Sequence, residues 1–275
     1  MVATITDGRR ILMPDGLCKL CKETKELRDS HFLPKAMYKY LRGSANKNPN
    51  PVIVARTVTS ATSTQVRDYA FCADCEDRLN KNGEKWVLGQ VWNGTRFPLY
   101  ERIQLAVHRH TLSESRTYSA NDVGIDTDKL GYFLLSVLWR AAIHEWPAPF
   151  GGRTDLVNLR GTEEGIRQYL RGKSVFPQNV AIVCEVCTDE LSQQTLLIPT
   201  EVPTPYGPAV EMLTLGLRAF MFCGHRISPE IRRICCINAP QHLLFLRDGR
   251  ARILKYYAQI MRTSRESKST SALYG

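Results

Sequence analysis

Two pairs of cysteines, each with two residues between its members, are the residues of this chain best suited to chemistry. Cys18-Lys-Leu-Cys21 and Cys72-Ala-Asp-Cys75 each form a tight knuckle that presents two thiolates to one ion. Two knuckles complete the tetrahedral four-thiolate shell that structural zinc prefers, with Zn–S distances near ~2.3 Å. The spacing therefore predicts one structural Zn²⁺, held by Cys18, Cys21, Cys72 and Cys75.

The segment between the two pairs contains the leading candidate for catalysis. His31 stands in the run Ser-His-Phe-Leu-Pro and directly precedes a helix predicted over 35–42, because Pro34 is tolerated in a first helical turn. An imidazole with a near-neutral pKa is a suitable general base for activating water near pH 7. The alternative is that His31 caps this helix or hydrogen-bonds the knuckle.

A second group of candidates follows Cys75. In a continuous helix, Glu76, Asn80 and Glu84 recur at intervals of four residues and share one face, although Asn82-Gly83 interrupts or kinks such a helix. Carboxylates are ligands that a hydrolytic ion such as Mg²⁺ or Mn²⁺ takes. This face is therefore a candidate for a second, catalytic ion and its substrate. A solvated charged helix face explains the same pattern.

The charge balance points to a polyanionic partner. The 275 residues carry a formal net charge of +10 at pH 7, which favours nucleic acid as a partner. Solvated lysines without a partner are the alternative. The basic residues around His31 that we expect to contact phosphates are Lys22, Lys25, Arg28, Lys35, Lys39 and Arg42.

Cysteine usage and hydropathy indicate the compartment. There are nine cysteines, an odd number, no apolar leader in residues 1–10 and no apolar stretch long enough to cross a bilayer. We therefore expect reduced thiols, a cytoplasmic location and no membrane partner.

The pattern of elements predicts two parts and an α+β fold. Residues 1–95 form the zinc module, with a hairpin or a strand over 52–64, its turn placed at 59–63, and a strand over 66–71. Residues 96–275 form an accessory α+β region with a largely antiparallel sheet. Its predicted pieces are a helical stretch over 96–172 (helices at 99–107, 128–146 and 162–170), a β-rich stretch over 173–260 (strands at 180–186, 194–198, 210–222, 234–237 and 243–246) and a frayed tail over 263–275.

Two further groups of polar residues have competing interpretations. Cys184 and Cys187 repeat the knuckle spacing, but cysteines three apart in a strand point to opposite faces, so we expect buried thiols there. Arg140 and His144 stand one turn apart on the apolar helix over 128–146. They either line a pocket or bind a partner, or they are satisfied hydrogen-bonding groups in the core.

Taken together, the two knuckles and the Ser30-His31-x-x-Pro34 run resemble the HNH endonucleases that are stapled by a four-cysteine zinc. The resemblance covers about the first third of the chain. It implies a compact, treble-clef-like ββα-metal core that cuts DNA with a separate divalent ion, with His31 as general base and Glu84 at the place of the last metal ligand. The family usually has Asp directly before this His, where this chain has Ser30. It usually has Asn directly after the second cysteine pair, where this chain has Glu76.

The run over 133–140, placed after such a module, resembles uncharacterised bacterial proteins with the same two-part layout. Some modules of this kind belong to mobile-element or antiphage defence systems. The resemblance thus implies a metal-dependent endonuclease. It implies no role for the second part, which we expect to supply dimer contacts, partner docking or target recognition. The alternative is a catalytically inactive zinc module that binds nucleic acid or a partner protein.

Overall fold

The fold is seen in a computed structural model that describes residues 5–6, 9–10, 13–42, 50, 52–54, 58–112, 115–148, 151–261 and 265–266. It is mixed α and β with a largely antiparallel sheet, which confirms the predicted class. Beyond a short antiparallel pair, β1 (Ile5–Thr6) and β2 (Arg9–Arg10), the chain forms two three-stranded sheets and one seven-stranded sheet.

The cysteine pairs lie on a small antiparallel sheet. Its strands, in the order β3-β4-β7, are β3 (Asp15–Leu17), β4 (Thr24–His31) and β7 (Arg67–Cys72). The first knuckle is the β3–β4 turn, where the Lys22 amide donates to the Cys18 carbonyl at 2.9 Å and Lys22 adopts a left-handed φ of 64°. β7 runs directly into α2 (Ala73–Leu79), which carries the second knuckle. The strand predicted over 66–71 is thus confirmed.

The helix after the second knuckle changes pitch where Asn82-Gly83 predicted a kink. A π-helical turn over Asn80–Glu84 separates α2 from α3 (Lys85–Leu88). A Cβ atom on Gly83 would lie 2.8 Å from the backbone nitrogen of Phe133, so only glycine permits this close approach to the central helix. As a result, Asn80 is exposed while Glu84 is buried, and the predicted stripe of three residues on one face is wrong.

The connection between β4 and β7 carries a short helix and a small sheet. Helix α1 (Lys35–Tyr40) follows Pro34, as predicted. β5 (Val52–Val54) and β6 (Val58–Ala61) form the predicted hairpin, but its turn is not at 59–63, since residues 59–61 belong to β6. The connection at 55–57 lies outside the described residues. β6 also pairs in parallel with β15 (Arg265–Glu266), and the remainder of the predicted frayed tail lies outside the described residues.

The principal sheet has the order β11-β12-β13-β10-β14-β9-β8, and only the β10–β14 pair is parallel. Its strands are β8 (His110–Leu112), β9 (Ser115–Ser119), β10 (Val180–Cys187), β11 (Leu196–Val202), β12 (Ala209–Thr214), β13 (Leu217–Cys223) and β14 (Leu243–Arg247). Helices beside it are α4 (Pro98–Leu105), α5 (Thr127–Ile143), α6 (Glu163–Leu170), α7 (Glu190–Gln193), α8 (Pro229–Ile234) and α9 (Arg250–Met261).

Three local predictions for this region are corrected. The stretch 96–172 is not wholly helical, because β8 and β9 lie in it and join the sheet edge. The single strand predicted over 210–222 is two strands, reversed at Leu215 and Gly216, which both have positive φ. The strand predicted over 234–237 is the end of α8 followed by one isolated bridge between Ile237 and Ile182.

Helix α5 positions the candidate site, because it touches both the cysteine module and the sheet. Twelve consecutive residues from Leu130 to Ala141 are buried, as the apolar pattern on all sides predicts. They join one continuous core with Phe32 and Phe71 of the module and Ile182 of the sheet. Among the described residues, no helix is both long and apolar enough to cross a bilayer.

Candidate metal centre and the buried Arg140 site

The four predicted cysteines come together as one cluster. Their sulfur atoms all lie within 4.8 Å of one another, and the Sγ atoms of Cys21 and Cys72 are 4.0 Å apart. A tetrahedral zinc with Zn–S bonds near ~2.3 Å requires S···S distances of about 3.8 Å, so the donor set fits zinc. Three of the four side chains are buried and Cys21 is half-buried. Such a closed four-sulfur shell suits a structural ion and leaves no open position for catalysis.

Hydrogen bonds in the cluster prepare sulfur for a metal. A hydrogen bond with the Cys75 thiol, aided by the backbone amides of Cys21, Cys72 and Leu20, lowers the pKa of Cys18 to about 4 against the effect of burial. The same hydrogen bond raises the pKa of Cys75, and burial raises that of Cys21. Zn²⁺ binds thiolates and displaces the remaining protons.

A second, separate site lies under α5, where Arg140 enters the module. The Arg140 side chain is 1% exposed. Its Nη2 donates to Glu84 Oε1 at 2.5 Å, and its Nη1 donates to the backbone oxygens of Phe32 at 2.9 Å and His31 at 3.3 Å. The guanidinium therefore ties the end of β4 to the π-helical turn.

Glu76 belongs to the same site. Burial raises its pKa, while the charge of Arg140 and the hydroxyl of Ser30 act in the opposite direction and Glu84 adds a further increase. Its Oε1 is buried and has no hydrogen-bond partner among the described residues. Ser30, 1% exposed, accepts from the Phe71 amide at 3.2 Å and donates to the Arg28 carbonyl at 3.2 Å. The structure thus gathers Ser30, Glu76 and Glu84 around a guanidinium.

The His31 ring lies on the other face of β4. Successive side chains of a strand point to opposite faces, and Ser30 takes the face toward α2. Asp29, on the same side as His31, pairs with Arg67 at 2.6 Å. Burial lowers the pKa of His31, and a hydrogen bond with the Gln65 side chain and the charge of Asp29 partly oppose this. Only the backbone oxygen of His31 reaches the Arg140 site.

His144 is a hydrogen-bonding group at the end of α5. Its Nε2 lies 2.9 Å from Oδ2 of Asp68, which also receives Arg153 at 3.5 Å. The Trp146 indole donates to the Arg140 carbonyl at 3.1 Å and packs edge-on against His144, with 5.0 Å between ring centroids. Arg140 and His144 thus bind groups of the module and not each other, and the Nε atom of Arg140 is buried without a hydrogen-bond partner among the described residues.

The predicted phosphate-binding residues separate into two groups. Lys25 pairs with Glu23 at 2.9 Å and Asp74 at 3.3 Å, and Arg28 lies 3.5 Å from Glu26. The others are exposed and form no ion pair within the described part of the chain; they are Lys22, Lys35, Lys39 and Arg42. Lys35 and Lys39 share one face of α1 because they are four residues apart.

The fold also brings basic residues to the first knuckle that sequence reasoning missed. Arg167 of α6 donates to the Leu20 carbonyl at 2.8 Å and so seats the end of α6 beside the knuckle. A Cβ atom on Gly172 would lie 3.7 Å from Nη1 of Arg78. We call Lys22, Arg78, Arg171 and Lys173 the knuckle surface. Residues so far apart in sequence gave no signal that they would meet.

The second cysteine pair in β10 forms no comparable centre. Cys184 belongs to the main core, whereas Cys187 packs with Leu213 and Ile253 on the other side of the sheet. Burial contributes to a raised pKa at both thiols, with the contact to Cys236 the larger cause at Cys184. In the described residues the first four cysteines are the one group of three or more His, Cys, Asp or Glu residues placed to share an ion.

Comparison with known proteins adds no assignment. No family model, no curated protein and no solved structure matches this chain.

Proposed function

We propose that this chain is a nucleic-acid-binding protein built on a structural zinc module, and that its HNH-like carboxylates stabilise the fold instead of holding a catalytic ion. The observation that carries the proposal is the buried guanidinium of Arg140 among Ser30, Glu76 and Glu84. These three residues stand at or near the metal-ligand positions that the family resemblance implies.

The charge of Arg140 opposes a second ion at this place. Arginine stays protonated in proteins, and here its charge is buried and paired with Glu84. A divalent ion needs one or two free carboxylates and several water molecules. Binding it through Glu84 would leave Arg140 buried and unpaired, and breaking a buried pair in this way costs about 3–5 kcal/mol. The Glu84 carboxylate therefore neutralises Arg140 and is not free to bind a divalent ion.

The same fold supports binding to a phosphate backbone. β4 and β7 followed by α2 have the strand-strand-helix order expected of a ββα module, and the zinc cluster fixes the knuckle on their edge. The cations of the knuckle surface and of the α1 face form no ion pair among the described residues, although Glu23 lies near Arg171 and Glu164 near Lys22. Contacts of this kind position a nucleic acid without reading its sequence. DNA is the polyanion we propose, in keeping with the net charge of +10.

Fluorescence anisotropy with a short DNA duplex, at salt concentrations between 50 and 200 mM, tests the binding. We expect affinity to fall steeply with salt, since each neutralised phosphate contributes about −0.9 to the slope of log K against log salt. Lys22→Gln or Lys173→Gln should weaken binding and reduce the slope by about 1. Lys255→Gln, on the exposed side of α9, makes the same charge change and should leave binding unaltered. Equal effects from all three variants would show that the knuckle surface is not the interface.

A metal-dependent endonuclease is the second candidate, and the environment of His31 favours it. The lowered pKa keeps the imidazole neutral near pH 7, as a general base requires. Asp29 places a carboxylate on the same face, where it is paired with Arg67. Incubation of zinc-loaded protein with supercoiled plasmid and Mg²⁺ or Mn²⁺ separates the two candidates. Nicking by the wild type that is lost in His31→Ala would establish the nuclease and replace the first proposal.

A further inference from the structure

A cationic pocket lies on the principal sheet, at the end of β13 and outside the cysteine module. Its volume is about 320 Å³, at the lower end of the range for small-ligand sites. The residues that matter for its chemistry are Arg160, Tyr206, Phe222, His225, Arg226 and Ile231. The pocket combines an apolar floor with a cationic rim.

The floor is rigid because it belongs to a packed cluster. Phe222 is 7% exposed and Ile231 is 1% exposed, and both pack in the core beneath this end of the sheet. Gly224, with φ of 137°, lets the chain turn away from β13 at the pocket wall. At the rim, in contrast, Tyr206 lines the pocket and is 50% exposed.

Two guanidinium groups at the rim have no polar partner in the described part of the chain. Within the described residues, neither Arg160 nor Arg226 forms an ion pair or a side-chain hydrogen bond, and no acidic side chain lines the pocket. Glu163 and Glu201 do not line the pocket, but their charges act on the Cys223 thiol, which does, and Glu201 lines a small adjoining cavity with Arg160. The Glu201 carboxylate already accepts a hydrogen bond from the Asn158 amide at 2.9 Å.

Arg160 is held in place by its backbone. It has a left-handed φ of 54°, which is uncommon for a residue with a side chain. The Asn158 side chain accepts its amide at 2.8 Å and fixes this turn. A Cβ atom on Gly224 would lie 3.6 Å from Cδ of Arg160, so the aliphatic stem of the arginine runs along the pocket wall.

We propose that this pocket binds the phosphate monoester of a nucleotide, with Arg160 and Arg226 on the phosphate and the Tyr206 ring stacked on the base. Arginine pairs suit phosphate because their planar donors make charge-assisted hydrogen bonds to its oxygens. An aromatic ring at the mouth offers the stacking surface that every base can use. The nucleotide is either free in solution or the phosphorylated end of a strand.

Calorimetric titration of the full chain with four ligands tests the proposal. They are AMP, adenosine, a trinucleotide with a 5′-phosphate and the same trinucleotide without it. We expect binding that requires the phosphate monoester and that weakens about tenfold or more in Arg160→Gln and in Arg226→Gln. Arg250→Gln, an exposed arginine on α9, is the matched control and should bind like the wild type. Tyr206→Leu should weaken the binding of AMP, because the stacking surface for the base is lost. Its affinity for inorganic phosphate should equal that of the wild type.

The ligand series also identifies the source of the phosphate. Equal affinity for AMP and the phosphorylated trinucleotide would assign a free nucleotide, and selective binding of the trinucleotide would assign a strand end. On the function proposed above, the knuckle surface would contact internal phosphates, which both trinucleotides share, so the difference between them reports on this pocket alone. Binding that ignores the terminal phosphate, or that Arg250→Gln weakens as much as Arg226→Gln, would overturn the proposal.

Discussion

Arg140 and Glu84 form a buried ion pair with 2.5 Å between Nη2 and Oε1, although 56 positions separate them in the sequence. Glu84 stands on the π-helical turn of the cysteine module and Arg140 on the central helix α5. The same guanidinium also binds the backbone at the end of β4. This pair therefore fastens the module to the remainder of the fold, and it occupies the place where the sequence suggested a catalytic ion.

Removing one member of this pair should destabilise the protein strongly. We expect Glu84→Gln to lower the free energy of unfolding by about 3–5 kcal/mol, because it leaves the Arg140 charge buried and unpaired. The double variant Arg140→Met with Glu84→Gln should be more stable than the sum of the single effects predicts. Urea unfolding of all four proteins gives the coupling energy. Strictly additive effects would mean that the two side chains do not depend on each other.

The four-cysteine cluster should be required for folding of the module. Cys72→Ser should lose the bound zinc and the helical signal of the module, since apparent structural-zinc binding energies of about 10–16 kcal/mol are coupled to folding. Zinc content by mass spectrometry and circular dichroism provide the readouts. Cys223→Ser, a half-buried cysteine outside the cluster, is the control and should keep its zinc. A metal-free wild type that stays folded in chelator contradicts the zinc assignment.

The close packing around Gly83 predicts that replacing this helical glycine with alanine destabilises the protein. Alanine normally stabilises a helix relative to glycine by about 1 kcal/mol, but a Cβ atom here would lie 2.8 Å from the Phe133 backbone. We expect Gly83→Ala to destabilise the protein by about 1–3 kcal/mol through overpacking.

Gly165 provides the matched comparison for this clash. It lies in α6, where an added Cβ atom meets nothing within 4 Å, so Gly165→Ala should be neutral or stabilising by about 0.5–1 kcal/mol. Thermal or urea unfolding of both variants measures the difference. A stabilising Gly83→Ala would show that α5 does not approach the π-helical turn as closely as described.

The Asp68 carboxylate should make part of the stability depend on pH. Burial alone would raise its pKa, but the Tyr69 amide, His144 and Arg153 outweigh burial and leave the pKa below the ordinary value of 3.8. Because the folded pKa is depressed, this stabilisation is present above about pH 4 and is lost as the pH falls through the folded pKa.

Asp68→Asn isolates this contribution from other acid effects. The stability difference between the wild type and the variant should be constant at neutral pH and should shrink below about pH 4. The zinc thiolates also protonate in acid, so the readout is this difference in urea midpoint and not either protein alone. A difference that persists unchanged to pH 2 would show that ionisation of Asp68 does not contribute.

The sequence allowed the cysteine cluster, the α+β class and most core strands to be predicted, because these depend on local spacing and periodicity. It did not allow prediction of the Arg140 site. Arg140 and Glu84 are separated by 56 positions, and a π-helical turn rotates Glu84 inward while Asn80 stays exposed. The faces of β4 depend on the bulge between Arg28 and Asp29, which no local pattern revealed. Tertiary packing therefore decided which polar residues share a site.

Manganese binding to zinc-loaded protein tests the central claim most directly. Electron paramagnetic resonance during a Mn²⁺ titration counts bound ions in the wild type and in Glu84→Gln. We predict that the wild type has no Mn²⁺ site that depends on Glu84, so that the two titrations coincide and neither protein nicks plasmid. One equivalent of Mn²⁺ bound by the wild type and lost in Glu84→Gln would contradict the account and show that Glu84 is a metal ligand.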